Sequence, residues 1–391
     1  MNFVRFNLLS ASALTAVLAF AVLTGSAQAR SFKVTNLVSD GAVPAATIDP
    51  NLVNPWGLAY GPTSPFWVND NGPGVATLYN GAGVKIPLTV NVFPNDGSAA
   101  PTGQVFNSGG GSDFVVSNGA TKGRAVFLMD TESGTISGWA PSVNLTNTFL
   151  GVDNSGGGAL AHAVYKGLAI ANNGGTEMLY AANFRSGQVE MYDGSFGLLG
   201  TFTDPTVAAG YAPFNVQTLG NKLFVTFALQ DGAKHDEVDG AGLGYVDEFN
   251  LDGTFDMRIA SAGGPTNAPW GLAIAPASFG SKFGGDLLVG NFGDGTISAF
   301  NLATNSFVGL LPMAGGGNLA IDGLWGLIPG NGAAGGSAST IYFSAGLNGE
   351  SDGLFGSISA VPEPTTWTTM ILGFGLLGAA LRRSRSRLSP A

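Results

Sequence analysis

The chain has 391 residues, of which 61 are glycine and none is cysteine. Arg5 and four arginines near the C-terminus account for five of its 16 basic residues, so residues 30–381 hold 11 basic and 26 acidic residues, a net charge of −15. An acidic surface without a stripe of Lys or Arg repels phosphates, which argues against nucleic acid as a partner. Without disulfides, stability has to come from an apolar core.

Residues 1–29 have the three parts of a secretory signal peptide. Arg5 supplies the basic start, an apolar run covers residues 8–23, and Ala27-Gln28-Ala29 is a small-x-small site for signal peptidase. A retained N-terminal helix is the alternative, but the run is short for a permanent anchor. We expect the mature chain to begin at Arg30.

The body, residues 30–360, contains six related segments, which start near residues 54, 102, 167, 212, 267 and 322. The clearest copies read Asn-Pro-Trp-Gly-Leu-Ala, Ala-Pro-Trp-Gly-Leu-Ala and Gly-Leu-Trp-Gly-Leu. An apolar strand, a polar turn and two further strands follow each copy, and no amphipathic helix of useful length intervenes. Four strands per unit and a period of about 50 residues predict an all-β, six-bladed β-propeller.

The six units cover residues 54–95, 102–153, 164–205, 212–262, 267–313 and 322–360. The last unit has only three strands of its own, while residues 32–38 form a strand that precedes the first unit. We expect this N-terminal strand to complete the last blade and close the ring, which removes two open sheet edges. An array of repeats without closure is the alternative.

The C-terminal tail, residues 361–391, has three consecutive parts. The motif Val361, Pro362, Glu363 and Pro364 is followed by an apolar stretch over residues 367–381 and then by a cluster of arginines over residues 382–387. The apolar stretch predicts a C-terminal hydrophobic helix, somewhat shorter than the roughly 20 residues of a stable membrane helix. The arginines would hold its end on the cytoplasmic side of the membrane. A buried C-terminal helix is the alternative.

These three parts resemble the PEP-CTERM sorting signal. The resemblance implies recognition by an exosortase in the inner membrane of a Gram-negative bacterium, which the tail would enter transiently. Removal of the hydrophobic end and delivery to the periplasm, cell surface or exopolysaccharide matrix would follow.

The repeated segments of the body, such as residues 54–80, 179–192 and 268–301, resemble a family of uncharacterised exported proteins that are often associated with PEP-CTERM systems. That family is similar to six-bladed NHL and lactonase-type propellers. The resemblance implies a propeller fold and export, and it implies no established activity.

Three tryptophans of the repeats, Trp56, Trp270 and Trp325, have two interpretations. They could form a platform on which sugars stack, or they could pack between blades near the start of each inner strand. The second interpretation is the more common role of a repeated aromatic residue.

A distinctive loop covers residues 230–240, between the second and third strands of the fourth unit. Its carboxylates Asp231, Asp236, Glu237 and Asp239 are hard oxygen ligands at close spacing, which predicts a Ca²⁺ site. A solvated acidic loop, with His235 paired to a neighbouring carboxylate, is the alternative.

A second candidate site lies at the axis, where the inner strands of a propeller begin around the central channel. Asn54, Asn215, Asn267 and Asp322 stand at or before equivalent inner strands and are candidate ligand-binding residues. Lactonase-type propellers, by resemblance, hold a metal with a comparable set, although only one of these four is a carboxylate. Ordinary turn residues are the alternative.

Two functions remain open. The first is a non-enzymatic surface or matrix protein that binds an exopolysaccharide or another exported protein. The second is a metal-dependent hydrolase or lactonase that acts at the channel. Nucleophilic catalysis has little support, because cysteine is absent and neither histidine accompanies a Gly-x-Ser-x-Gly motif.

Overall fold

The structure, a computed structural model, describes residues 31–156, 162–361 and 374. The predicted signal peptide and almost all of the predicted C-terminal helix therefore lie outside the described residues. Within them, no helix has the length and apolar character needed to cross a membrane.

The described chain is all-β, with six sheets that form the blades of a propeller-like ring, and their strands are antiparallel except where β2 pairs with β1. Two strands precede the first blade: β1 (Ser31–Ser39) and β2 (Thr47–Ile48). Blade 1 contains β3 (Pro55–Ala59), β4 (Phe66–Asp70), β5 (Val75–Tyr79) and β6 (Lys85–Asn91). Blade 2 contains β7 (Pro101–Phe106), β10 (Phe127–Thr131), β11 (Thr135–Trp139) and β12 (Phe149–Asp153), with a hairpin of β8 (Val115–Ser117) and β9 (Lys122–Arg124) inserted after its first strand.

The remaining blades follow the same plan. Blade 3 contains β13 (Tyr165–Asn173), β14 (Thr176–Asn183), β15 (Gln188–Tyr192) and β16 (Leu198–Phe202). Blade 4 contains β17 (Tyr211–Leu219), β18 (Lys222–Gln230), β19 (Glu237–Val238), β20 (Tyr245–Phe249) and β21 (Phe255–Ala260). Blade 5 contains β22 (Pro269–Ile274), a 3₁₀ turn (Ala277–Phe279), α1 (Gly280–Phe283), β23 (Leu287–Asn291), β24 (Ile297–Asn301) and β25 (Ser306–Leu310). Blade 6 contains β26 (Leu324–Pro329), β27 (Ile341–Gly346), α2 (Leu347–Glu350) and β28 (Asp352–Val361).

The N-terminal strand closes the ring, as the sequence predicts. β1 pairs antiparallel with β28, from Ser31 opposite Val361 to Ser39 opposite Leu354. The six inner strands, β3, β7, β13, β17, β22 and β26, contact one another in that order, and β26 contacts β3. The blades therefore surround a common axis.

A β-bulge recurs at the same place in the inner strands. Where each inner strand pairs with its neighbour, the register shifts at one dipeptide. The dipeptides are Trp56-Gly57, Thr102-Gly103, Lys166-Gly167, Phe214-Asn215, Trp270-Gly271 and Trp325-Gly326. Because a bulge redirects the side chain that it carries, this position can point toward the axis while the rest of the strand packs between blades.

The glycine of this dipeptide lets adjacent inner strands approach closely. A Cβ atom at Gly57 would lie 2.4 Å from the carbonyl oxygen of Thr102, and one at Gly271 would lie 2.6 Å from the carbonyl oxygen of Trp325. Five of the six strands have glycine here because the backbone of the next blade occupies the space of a side chain.

We therefore expect Gly271→Ala to lower the free energy of unfolding by about 1–3 kcal/mol through overpacking. Gly200→Ala is the matched control, because its Cβ would meet only the flexible end of Met191 at 3.5 Å. Urea denaturation of both variants checks this, and equal midpoints would contradict the packing role of Gly271.

Candidate functional site at the axis of the ring

Four aromatic side chains fill the axis: Trp56, Phe214, Trp270 and Trp325, here called the aromatic plug. Trp56 and Trp325 stack with ring centroids 3.5 Å apart, and Trp270 stands edge-on to them at 6.1 and 5.9 Å. All four are buried. They cannot serve as an exposed sugar platform, so the packing interpretation of the tryptophans is confirmed.

Lys166 occupies the same bulge position in blade 3 that tryptophan occupies in blades 1, 5 and 6. Its side chain is 1% exposed, and its Nζ lies 5.0 Å from the ring centroid of Trp56. The ammonium contacts Oε1 of Glu132 at 2.5 Å and Oδ1 of Asp236 at 3.4 Å. Burial lowers the pKa of Lys166, but Glu132, Glu237 and Asp236 outweigh it and raise that pKa to about 12. A permanent positive charge is therefore held on the aromatic plug.

Polar side chains surround this ammonium at one end of the channel, here called the mouth: Asn54, Asn71, Glu132, Asp236, Glu237 and Glu350. Asn54 receives a hydrogen bond from Nε1 of Trp325 at 3.0 Å and donates through Nδ2 to Oε2 of Glu350 at 2.6 Å. Asn71 donates to Oε2 of Glu132 at 2.9 Å. Hydrogen bonds thus connect the aromatic plug with the carboxyl group of Glu350 in the mouth.

The mouth is formed mainly by the segments that follow the second strand of blades 1, 2, 4 and 6. Asn71 directly follows β4, Glu132 directly follows β10, and Glu350 ends α2, which follows β27. Asp236 and Glu237 come from the long loop between β18 and β20. Ring closure places these turns at the same end of the axis, although they are far apart in the sequence.

The mouth has more carboxylates than cations. Burial raises the pKa of Glu237 to about 7, although Lys166 opposes this shift, and burial also raises the pKa of Glu350 against its hydrogen bond from Asn54. For Asp236, hydrogen bonding to His235 and the charge of Lys166 outweigh burial and lower the pKa. A single ammonium faces four carboxyl groups, so negative charge remains available to a ligand even when Glu237 is protonated.

Two of the four predicted Ca²⁺ ligands reach this mouth, Asp236 and Glu237. Asp231 instead accepts backbone hydrogen bonds from His235 at 2.8 Å and from Asp236 at 3.3 Å, which shapes the loop. Asp239 is exposed on the far side of the loop, beside blade 5. Ca²⁺ at the loop stays a prediction, and the structure brings only half of its proposed ligands together.

In the described part of the chain, one group of at least three metal-ligating side chains has its ligand atoms within 4.8 Å of one another. It contains Glu132, His235 and Asp236. Oδ1 of Asp236 is also 2.8 Å from Nδ1 of His235. The sequence had placed two of these residues in one loop, while Glu132 comes from blade 2.

The four predicted axial residues lie in different places. Asn54 belongs to the mouth, whereas Asn215 lies inside β17 and donates to the carbonyl oxygen of Trp270 at 2.8 Å. Asn267 accepts a hydrogen bond from the loop between β19 and β20, and the exposed Asp322 accepts one from a backbone N–H of α2. No hydrogen bond links any two of the four among the described residues.

Sequence reasoning missed Glu132, Lys166 and Glu350. An alignment of the six repeats could have revealed Lys166, because four of the five other copies have an aromatic residue at its position. The two glutamates carry no such signal, since they lie in turns whose sequences differ from blade to blade.

Comparison with known proteins finds relatives of the chain and confirms the sorting motif that the sequence predicts in its C-terminal tail. A model of the PEP-CTERM protein-sorting motif matches residues 360–385, which include Val361, Pro362, Glu363 and Pro364. Two proteins of Acanthamoeba polyphaga mimivirus are similar to the chain, "Uncharacterized protein L690" and "Uncharacterized protein R648". The first is 35% identical over 84% of this chain and 86% of its own length, and the second is 34% identical over 84% and 80%.

A solved streptogramin B lyase structure is similar at 10% identity, with a TM-score of 0.48, over 84% of this chain and 97% of that chain. At this level the likeness carries no inference about activity.

Proposed function

The chain belongs to the family that includes the mimivirus proteins L690 and R648, and we propose that it is a non-enzymatic binding protein of the cell surface or exopolysaccharide matrix. Its PEP-CTERM motif indicates export and membrane transit in a Gram-negative bacterium and is the type of signal that an exosortase recognises. Signal peptidase would process residues 1–29. The destination and the ligand are the proposed parts.

The observation that carries the proposal is the position of the Lys166 ammonium between Glu132 and Asp236. A divalent cation held by these carboxylates would need the same space, and the like charge of Lys166 opposes its entry. The carboxylates are then left to accept hydrogen bonds from a ligand. This arrangement supports binding over metal-dependent hydrolysis.

The mouth has the groups that bind hydroxyl-rich polymers. Carboxylate oxygens accept short, charge-assisted hydrogen bonds from hydroxyl groups. Asp236 is exposed, and Glu132 and Glu350 are half-buried, so all three are accessible from solvent. Because the protein is acidic, a polyanionic polymer would be repelled, and a neutral polysaccharide is the favoured ligand.

We expect Glu350→Gln to weaken binding of a neutral polysaccharide about tenfold or more, equivalent to about 1.4 kcal/mol, because the amide accepts weaker hydrogen bonds than the carboxylate. Affinity electrophoresis in gels that contain dextran or hydroxyethylcellulose measures this, with alginate as the anionic comparison. Asp252→Asn, in an exposed turn of blade 4, is the matched control with the same change of charge. Wild-type affinity in Glu350→Gln, or no retardation by any neutral polymer, would contradict the proposal.

A second candidate is a metal-dependent hydrolase or lactonase with Ca²⁺ at the mouth. The approach of Glu132, His235 and Asp236 to within 4.8 Å of one another favours it. This function requires that the Lys166 ammonium move away from the two carboxylates. Turnover of lactones by the purified protein with Ca²⁺, abolished by chelation, would establish it in place of the first.

A further inference from the structure

A second compartment lies on the opposite side of the aromatic plug from the mouth. It is a cavity of about 280 Å³ whose lining comes from all six inner strands and includes Trp270 of the plug. Leu58, Ile170 and Leu327 contribute apolar wall, and none of the lining residues carries a charged side chain. The volume is close to the lower limit of known ligand pockets, about 300 Å³.

Apart from the solvent-exposed Ser108, three polar side chains that line this cavity have no hydrogen-bond partner among the described residues. They are the hydroxyl group of Tyr60 and the amides of Gln104 and Gln217. Gln104 is only 5% exposed, and both its Nε2 and its Oε1 are unpaired. A buried polar group without a partner is destabilising by about 1–3 kcal/mol. In a protein interior such groups call for an explanation, and a bound ligand is one.

The placement of these groups indicates the shape of the ligand. Tyr60 is in blade 1, Gln104 in blade 2 and Gln217 in blade 4, so the hydrogen-bonding positions are distributed around the axis. A ligand with polar groups at one end only would leave some of them unpaired. A compact ring with hydroxyl or amide groups around its edge would pair with all three and rest its apolar faces on the aliphatic wall.

The ligand has to be uncharged. The cavity offers no counter-ion, and transfer of an unpaired charge from water into such a site is strongly unfavourable. Since the buried plug closes the inner end, a polymer cannot thread through the axis, and only a free molecule or a chain end can enter. We propose that this compartment binds a single uncharged sugar unit, a neutral or N-acetylated hexose.

This inference does not rest on the acidic mouth, because the plug separates the two compartments. Loss of polymer binding in Glu350→Gln tests the mouth, whereas the monosaccharide experiment below tests only the cavity. The two proposals can therefore fail separately.

N-acetylglucosamine and glucosamine are the matched probes, because they share a ring and differ in charge at the nitrogen at pH 7. We expect ligand-observed NMR titration of the full secreted chain to show N-acetylglucosamine binding at least tenfold tighter than glucosamine, with glucose also bound. Gln217→Leu should weaken N-acetylglucosamine binding about tenfold. Asp252→Asn should leave it unchanged. Gln104→Leu should weaken binding in the same way, and Gln217, being half-buried, provides the variant whose folding is less at risk.

Several results would overturn the proposal. Equal affinity for glucosamine would show that the cavity does not select against charge. Absence of binding for both uncharged sugars would exclude the sugar class, and wild-type affinity in folded Gln217→Leu would place any binding elsewhere.

Discussion

Replacement of Lys166 with methionine is expected to lower the free energy of unfolding by about 3–5 kcal/mol, the usual effect of removing one partner of a buried ion pair. The variant keeps the apolar stem over Trp56 but leaves Glu132 and Asp236 without their ammonium. Urea denaturation at pH 7 measures the loss. Lys222→Met is the control, because Lys222 is one-third exposed and its contacts with Asp256 and Glu248 are open to solvent on the lysine side, so its loss should change stability much less than the loss of Lys166.

The pH dependence of the destabilisation distinguishes the loss of the positive charge from the loss of packing as its cause. If repulsion among the carboxylates of the mouth destabilises Lys166→Met, protonation of these groups should reduce it. The difference in free energy of unfolding between the variant and the wild type should then be smaller at pH 5 than at pH 7. The electrostatic role of Lys166 would be contradicted if this difference in free energy of unfolding were the same at pH 5 and pH 7, or if Lys166→Met were as stable as Lys222→Met.

The second large effect is a loss of stability as pH rises. Burial raises the pKa values of Asp130, Asp247 and Glu237 to about 7. A carboxyl group whose pKa is higher in the folded than in the unfolded state binds more protons when the protein is folded. Its contribution to the free energy of unfolding is therefore full below pH 4 and is lost as the pH rises through 7. We therefore expect the urea midpoint to be higher at pH 5 than at pH 8.

Asp130 provides the sharpest variant for this prediction. Its Oδ1 accepts a hydrogen bond from Thr102 at 2.8 Å, while Oδ2 is buried without a partner among the described residues. Because burial raises the pKa of Asp130 to about 7, Asp130→Asn should make the decrease of the urea midpoint between pH 5 and pH 8 smaller than in the wild type. Asp252→Asn, which is exposed, should not change the slope. If the urea midpoint of Asp130→Asn fell with pH as steeply as that of the wild type, the raised pKa of Asp130 would be contradicted.

Stability should also decline in strong acid. At Asp49 and Asp204, burial raises the pKa less than their hydrogen bonds lower it, so the net shift is downward. Their contribution is present above pH 4 and is lost as the pH falls below it. The two groups of carboxylates together place the maximum of stability in mildly acidic solution.

The repeats explain why so much of the fold could be predicted. The Trp-Gly dipeptide marks the start of an inner strand in three blades, and the leftover strand before Asn54 matches the strand that blade 6 lacks. The hairpin of β8 and β9 was not predicted, because its three-residue strands are too short to show an alternating pattern. The same limit applies to β2 and β19.

The candidate site was less predictable because ring closure, and not local sequence, brings its members together. Asn54 precedes its bulge dipeptide by two residues, whereas Asn215 is part of one, so residues that look equivalent in sequence lie at different heights on the axis. Glu132 and Glu350 are 218 positions apart in turns without a common motif. Lys166 indicates the site only when it is known that the aromatic residues at the same position of other blades contact one another at the axis.

Calorimetric titration of Ca²⁺ into the wild type and Lys166→Met tests most directly the claim that an ammonium takes the place of a metal at the mouth. We expect no uptake by the wild type at about 1 mM Ca²⁺ and one equivalent bound by Lys166→Met, whose carboxylates would then accept the ion. Stoichiometric uptake by the wild type that Glu132→Gln abolishes would contradict it and would favour the metal-dependent enzyme.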